Sequence, residues 1–256
     1  MSDFSPEWLA LREPADAESR ADELLTTLRT SLTSSDLVVR DLGSGTGSMA
    51  RWLSPRLPGT QKWVLTDQDP VLLKVAAASV PGAVPDLRDI TTITAEDLAG
   101  TSLVTGSALL DILTSTEVTA LATACVKARC PALFALSVVG RVELTPADPL
   151  DERMAAAFNA HQSRTVGGRA LLGPSAVAAT ATAFIRLGAT VHRRPSPWRL
   201  GPDRAQLTAE WLRGWVSAAC EQEPDLRPFA DDYLRRRLDG DLRVIVHHED
   251  LLALPA

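Results

Sequence analysis

The chain has 256 residues, of which 45% are hydrophobic and 23% are charged. This balance is typical of globular proteins and excludes a disordered or fibrous chain. The net charge of −6 argues against a nucleic-acid partner, because binding to a phosphate backbone requires clustered Lys and Arg. The one dense basic run, 235–237, is flanked by aspartates on both sides and indicates a solvated helix.

The sequence contains no sign of a membrane segment or a metal site. No run of 18 apolar residues occurs, and Asp3 and Glu7 stand where a targeting segment would be basic. The three cysteines lack the paired spacing of a zinc site or a disulfide framework. We therefore expect a cytoplasmic protein with no metal and no membrane partner.

The N-terminal segment begins with apolar positions at helical spacing. From 7 to 31 these positions predict a helix that is broken around Pro14. A short apolar run then ends at Asp41 and is followed by a glycine-rich turn and a helix over 48–57. The order strand, turn and helix is the first unit of an alternating pattern.

The alternation continues along the chain. Strands are predicted over 63–66, 84–87, 103–105, 132–139, around 190–192 and over 242–247. Helices are predicted over 71–80, 117–128, 175–187, 204–219 and 228–238, with 195–198 in a loop. Such alternation predicts an α/β fold with a doubly wound, mostly parallel seven-stranded sheet.

We expect one domain covering residues 1–256. Residues 1–35 would form an N-terminal helical cap and 36–140 a cofactor-binding half. Residues 141–256 would form an acceptor-binding half, with helical insertions at 141–172 and 193–240 that cap the active site. A homodimer is compatible with the sequence, which does not indicate an oligomeric state.

The most informative segment follows the first strand and reads Asp41-Leu42-Gly43-Ser44-Gly45-Thr46-Gly47. Alternate glycines allow a tight turn whose backbone can approach a ligand closely, with N–H groups exposed at the start of the next helix. A phosphate-binding loop would require a Lys after the last glycine, and none is present. A dinucleotide fold would place the third glycine one residue later, which weakens that alternative without excluding it.

An acidic residue two positions before Gly-x-Gly-x-Gly resembles the first motif of the class I S-adenosylmethionine-dependent methyltransferases. The similarity covers about residues 36–140. It implies that the turn approaches the methionine part of S-adenosylmethionine and that Asp41 helps to place its ammonium group. The cofactor residues would include Gly43, Ser44, Gly45 and Gly47, and the product would be S-adenosylhomocysteine.

Further cofactor positions follow from later segments. Asp67 ends the second strand, where a carboxylate can accept both ribose hydroxyls of an adenosyl group, and Gln68 follows it. The resemblance also places Asp89 and Ile90 at the adenine, with Asp86 as an equally plausible alternative to Asp89. Ser107 would lie where the fourth strand opens onto the methyl group, and Arg12 could pair with the cofactor carboxylate.

Residues of the second half are candidates for the acceptor site. Asp111, Arg141, Asn159, His161 and Trp198 are predicted to contact the acceptor, and His161 could be a general base because its ordinary pKa suits proton removal near neutral pH. An exposed histidine on a solvated helix is an equally good interpretation. The segment after the fourth strand lacks the Asp/Asn-Pro-Pro-aromatic motif of nucleic-acid amino-methyltransferases, which favours a small-molecule acceptor.

The sequence thus favours S-adenosylmethionine-dependent methylation of a small molecule, with specialised biosynthesis as the expected context. Two alternatives stay open. The first is an NAD(P)-dependent oxidoreductase, which would use the same sheet and Asp67. The second is a non-catalytic scaffold that keeps the methyltransferase-like fold.

Overall fold

The architecture was analysed in a computed structural model, which describes residues 5–256. Helices and strands alternate in the central part, as the sequence predicts. The helices are α1 Pro6–Ser19, α2 Glu23–Ser31, α3 Ser48–Leu53, α4 Pro70–Ser79, α5 Ser115–Lys127, α6 Asp151–Gln162, α7 Ala176–Arg186, α8 Ala205–Gln222 and α9 Arg227–Leu238. The strands are β1 Asp36–Leu42, β2 Thr60–Asp67, β3 Val84–Leu87, β4 Leu103–Ser107, β5 Ala132–Thr145, β6 Thr165–Val166, β7 Arg169–Ala170, β8 Thr190–Pro195, β9 Trp198–Leu200 and β10 Arg243–Leu254.

The main sheet has the strand order β3-β2-β1-β4-β5-β10-β8. The first five strands pair in parallel, and β10 is antiparallel to both of its neighbours. The prediction of a mostly parallel, doubly wound sheet is confirmed. Seven strands form the continuous order, and the short β9 adds an eighth by pairing with the start of β10.

The switch in strand order beside β1 determines where a ligand can bind. The chain leaves β1 to build β2 and β3 on one side and returns to build β4 on the other. In an open parallel sheet, this reversal leaves a crevice at the carboxyl ends of the strands. The ends of β1, β2 and β4 meet there.

Local sequence signals account for several helix starts. Asp69 caps α4 by accepting from the Val71 and Leu72 amides, and Pro70 occupies the first turn. Thr114 and Glu117 form a reciprocal capping box at the start of α5. These helices lead the chain away from the carboxyl edge and back to the start of the next strand.

Three details differ from the predictions. The helix does not break at Pro14; α1 runs through it, and the break lies at 20–22, where the Ala21 amide bonds to Asp250 instead of continuing the helix. Trp198 is not in a loop but opens β9, because the early part of β10 offers it an edge. β5 continues to Thr145, so the chain departs from the sheet later than the expected start of the insertion at 141.

Two apolar clusters cover the two faces of the sheet. One cluster packs α5 and α7 on the sheet, and the other packs α2, α3 and α4 on the opposite face. A third cluster, which we call the outer cluster, joins α6, α8, α9 and β9 to the outer parts of β5 and β10. Within residues 5–256, no helix combines the length and apolar character that crossing a bilayer requires.

We predict that Phe184→Ala destabilises the protein by about 3–5 kcal/mol, because it removes a fully buried ring and leaves a cavity. Its neighbour Ile185 is 59% exposed on the same helix, so Ile185→Ala is the matched control and should change stability by less than about 0.5 kcal/mol. Chemical denaturation measures both. Equal losses would contradict the assignment of Phe184 to the core.

Candidate functional site

The polar residues at the carboxyl edge begin with Asp41 and Thr105. These residues are direct neighbours in the β1–β4 register, so their side chains share a face of the sheet. The Thr105 hydroxyl donates to Asp41 Oδ1 over 2.7 Å. The other carboxylate oxygen, Oδ2, is buried and has no hydrogen-bond partner among the described residues.

Burial raises the pKa of Asp41 to about 6, against the opposing effects of the Thr105 hydrogen bond and the nearby Arg20 charge. Unpaired polar atoms in a protein interior usually cost about 1–3 kcal/mol. A buried carboxylate with one free oxygen is therefore a strong candidate to receive a positively charged ligand group.

The glycine turn brings β1 close to its neighbours. Gly43 and Gly45 have φ values of +61° and +53°, which side chains with a Cβ rarely adopt. A Cβ on Gly43 would lie 2.9 Å from the Leu109 side chain, and one on Gly45 would lie 3.3 Å from Leu9 of α1. Both glycines are thus required by conformation and by close packing.

Three main-chain amides within the turn already have protein partners. The Ser44 amide donates to the Thr66 carbonyl, the Gly45 amide to Asp67 Oδ2, and the Gly47 amide to the Ser44 carbonyl. The glycines therefore allow a close approach of the backbone, and the amides hold the turn against β2.

Asp67 lies at the end of β2 beside the turn, as predicted. One carboxylate oxygen accepts the Gly45 amide at 2.8 Å and the other accepts the Asp69 amide at 3.0 Å. A carboxylate has about four acceptor positions, so two are left in which Asp67 could accept a pair of adjacent hydroxyls. This arrangement fits the predicted ribose contact.

Arg20 joins this polar cluster, although no sequence signal predicted it. It lies in the break between α1 and α2 and is only 4% exposed. Its Nη2 donates to the hydroxyls of Ser48 and Ser107, at 3.3 and 3.2 Å, which links the predicted residue Ser107 to this cluster. Its Nε and Nη1 are buried without a partner in the described chain.

The surroundings of Arg20 explain how a guanidinium is accommodated there. Burial lowers the pKa of Arg20, while the nearby carboxylates of Asp16, Asp250 and Asp41 oppose that shift. Its planar group also lies over the Trp52 ring, 5.3 Å from the ring centroid. The charge is balanced by neighbours while part of its hydrogen-bonding capacity stays unused.

Arg20 and Asp41 together define what kind of group fits between them. Each influences the pKa of the other, yet neither is the other's hydrogen-bond partner, and each keeps unpaired buried polar atoms. An α-amino acid end group has an ammonium for Asp41 and a carboxylate for Arg20. The residues present therefore fit the methionine part of S-adenosylmethionine.

Arg12, which the sequence proposed as the carboxylate partner, has a different set of contacts. Its guanidinium binds both oxygens of Asp16, at 3.0 and 3.2 Å, and lies over the Trp198 ring. Trp198 is buried and donates its indole N–H to Asp16 over 2.9 Å. Arg12 and Trp198 thus belong to one contact between α1 and β9.

Asp250 attaches the N-terminal helices to the sheet. Its two oxygens accept the Ala21 amide at 2.8 Å, the Leu136 amide at 2.7 Å and the Ser196 hydroxyl at 2.5 Å. These donors come from the break after α1, from β5 and from the segment after β8. A single buried carboxylate therefore fixes the position of Arg20 relative to the sheet.

His248 lies at the same edge, opposite Val138 of β5. Its ring contacts Trp198 edge-on with centroids 5.5 Å apart, and burial lowers the pKa of His248 to about 3. The imidazole is therefore neutral at neutral pH, and its Nδ1 is buried without a partner among the described residues. No motif in the sequence predicts a role for His248.

At the predicted adenine position, the structure separates the two candidate aspartates. Asp86 forms an ion pair with Arg40 at 2.6 Å, so its carboxylate already has a protein partner. Asp89 is exposed and accepts the amide and hydroxyl of Thr91, and Ile90 packs against the sheet cluster. Asp89 and the exposed Gln68 are accessible, and their cofactor contacts remain predictions.

The predicted acceptor residues do not form one group. Arg141 is exposed and pairs with Glu143, and Asn159 donates to the Gly140 carbonyl. The ring nitrogens of His161 contact Glu221 and Arg164, each at 3.1 Å. Their roles in acceptor binding, and that of His161 as a base, remain predictions.

Asp111 is the acceptor candidate that follows the fourth strand. It is half-buried in a short turn at 110–112 after β4. Burial raises the pKa of its carboxyl group, and the charge of Arg12 partly counteracts this effect. The role of Asp111 in acceptor binding also remains a prediction.

We predict that Asp250→Asn destabilises the protein by about 2–3 kcal/mol, because an amide N–H₂ would face one of three donors that now bind the carboxylate. Asp203, whose side chain is 77% exposed, provides the control: Asp203→Asn should cost less than about 0.5 kcal/mol. Thermal or urea unfolding measures both variants. Similar stability of Asp250→Asn and the wild type would contradict the anchoring role.

Comparisons with known proteins support the fold. No family model and no curated protein matches this sequence. Among solved structures, a cyclopropane synthase from Mycobacterium tuberculosis superimposes with a TM-score of 0.53 at 13% identity, over 98% of this chain and 95% of that chain. A methyltransferase from Geobacter sulfurreducens, solved with S-adenosyl-L-homocysteine, gives 0.50 at 17% identity over 100% of both chains. At this level of identity the similarity shows a shared fold.

Proposed function

We propose that this chain, whose fold is that of the class I S-adenosylmethionine-dependent methyltransferases, transfers a methyl group from S-adenosylmethionine to a small-molecule acceptor. The observation that carries the proposal is the pair Arg20 and Asp41. Two opposite buried charges with unpaired atoms fit the zwitterionic end of the cofactor. Asp67 lies beside them, where it suits the ribose hydroxyls.

The cofactor supplies an electrophilic methyl group on a sulfonium. In the proposed complex, Arg20 binds the carboxylate of the cofactor, Asp41 binds its ammonium group and Asp67 binds its ribose hydroxyls. The tight glycine turn lets the backbone approach the cofactor. Correct alignment of two reacting groups can remove on the order of 7–11 kcal/mol of a barrier. Positioning by these side chains is thus the main contribution we assign to the protein.

The acceptor would bind between α1, the turn after β4 and the outer cluster. Ser107 at the end of β4 and the aromatic side chains of the outer cluster, among them Trp198, support this choice. Asp111 and His248 are polar groups at that border, and the neutral imidazole of His248 can accept a hydrogen bond. We propose a small molecule with apolar surface and at least one hydroxyl or amine N–H.

A dinucleotide cofactor fits the site less well. A diphosphate needs free main-chain donors, and the Ser44, Gly45 and Gly47 amides already have protein partners. The carboxylate of Asp41 next to the turn would also repel a diphosphate. These contacts favour the methyltransferase interpretation over the oxidoreductase alternative.

We predict that calorimetry detects binding of S-adenosylhomocysteine and not of NADH. Arg20→Met should weaken that binding roughly tenfold to a hundredfold, because it removes a charge-assisted hydrogen bond to the carboxylate. Arg12→Met is the matched control on α1 and should change the affinity much less. Binding of NADH alone would contradict the proposal, and a larger loss in Arg12→Met would assign the carboxylate to Arg12.

Catalysis needs a separate measurement, because a scaffold with the same fold could also bind the cofactor. Incubating the wild-type protein with labelled S-adenosylmethionine and a panel of hydroxylated and aminated metabolites tests for methyl transfer. Binding of S-adenosylhomocysteine with no transfer to any acceptor would favour the non-catalytic alternative.

We also predict that cofactor affinity depends on pH through Asp41. Its carboxyl has a pKa raised to about 6, and only the ionised form attracts an ammonium. Affinity should therefore fall as the pH drops through 6, by about tenfold between pH 7 and pH 5. In Asp41→Asn the affinity should be low and nearly constant over this range, as titrations with S-adenosylhomocysteine would show. If Asp41→Asn had the same pH profile as the wild type, Asp41 would not be the ammonium site.

A further inference from the structure

The groups proposed to hold the cofactor are buried, and α1 lies against the glycine turn beside them. Arg20 Nε and Nη1, Asp41 Oδ2 and Ser44 Oγ are all inaccessible and all lack a hydrogen-bond partner among the described residues. Their residues are 1–6% exposed. A ligand cannot reach these atoms unless the covering element moves.

The covering contact on the glycine turn comes from α1. Leu9 lies against Gly45, 3.3 Å from the position of a Cβ at that glycine. Glu13 binds Arg51 of α3 through both carboxylate oxygens, at 2.8 and 2.5 Å. Arg51 also donates to the Thr46 carbonyl, so this ion pair connects α1 directly to the turn.

α1 combines polar contacts with a limited apolar contact, in which Ala15 is buried and Trp8 and Leu11 pack partly buried against the outer cluster. Only Ala15 and Asp16 of its 14 residues are buried, whereas the nine-residue α2 buries Leu24, Leu25 and Leu28. The interior residue Pro14 has no N–H to donate within the helix. A helix with so little apolar burial separates from the protein more easily than one anchored in a core.

A natural hinge lies between α1 and α2. The chain leaves helical geometry at Arg20, whose ψ is 137°, and the Ala21 amide is fixed to Asp250. α2 begins without a side-chain cap at Asp22. Residues 20–22 can therefore act as a hinge, so that α1 moves while α2 stays packed on the sheet.

We propose that α1 is a gate over the cofactor cleft. The gate opens by rotation at the hinge formed by residues 20–22, and the Glu13–Arg51 ion pair holds it closed. The closed gate buries unpaired polar atoms, which disfavours it until a ligand provides partners for them. Binding of the cofactor then favours closure. The opening of α1 follows from the geometry of this chain; only the identity of the molecule that closes it rests on the proposed function.

Hydrogen exchange followed by mass spectrometry tests the gate in the protein without added cofactor. The α1 amides should exchange faster than those of α2, and Glu13→Gln should accelerate α1 about threefold to tenfold, as expected for a partly buried ion pair, while α2 is unchanged. Glu210→Gln, which removes an exposed pair with Arg213 on α8, is the control and should leave α1 unchanged.

Two outcomes would overturn the gate: α1 exchanging as slowly as α2, or Glu13→Gln exchanging like the wild type. Leu9→Ala gives a second route, since losing its contact with Gly45 should also accelerate α1. Adding S-adenosylhomocysteine should slow α1 in the wild type. If it binds without slowing α1, ligand-driven closure is wrong; if it does not bind, the proposed function fails while the exchange of the unliganded protein still decides the gate.

Discussion

The buried guanidinium of Arg20 is the charge around which the carboxyl edge of the sheet is arranged. Removing such a cation from water is costly unless opposite charges surround it, and three carboxylates do so from α1, β1 and β10. Each of these carboxylates has its own donors, such as Thr105 for Asp41 and the Ala21 amide for Asp250. The polar edge is therefore one connected network.

This network explains why the N-terminal helices, which are remote in sequence from β10, are part of the site. Asp250 fixes the chain at Ala21, and that contact places Arg20 beside the ends of β1 and β4. Without the contact between Asp250 and Ala21, the cost of desolvation would favour an exposed Arg20 guanidinium. The sheet supplies Asp41 and Asp250, α1 supplies Asp16, and the break after α1 supplies the positive charge of Arg20.

Much of the fold was predictable because it depends on local patterns. Alternating apolar runs and helical periodicity indicated the strands and helices of the parallel sheet, and the glycine turn together with Asp41 and Asp67 located the crevice. The fold prediction is confirmed. The late break at 20–22 and the strand at Trp198 were not predictable, because both depend on contacts with β10.

Arg20 was missed for a similar reason. A charged residue at the end of an amphipathic segment is normally exposed, and nothing nearby in the sequence shows that the segment folds back onto the sheet. Its one local signal is Asp16, an acidic residue four positions earlier, which equally suits a surface pair. The acceptor candidates were harder still to choose, since the segments that carry them have no recognisable motif.

The outer cluster has a broader consequence. β5 and β10 extend beyond the strands that hold the cofactor crevice, and this projecting ladder packs with α6, α8 and α9 around apolar residues of its own. Substitutions there can accumulate without disturbing Asp41 or Asp67. The periphery can therefore be remodelled, or exchanged as a unit in a chimeric protein, while the polar groups at the ends of β1 and β2 keep their arrangement.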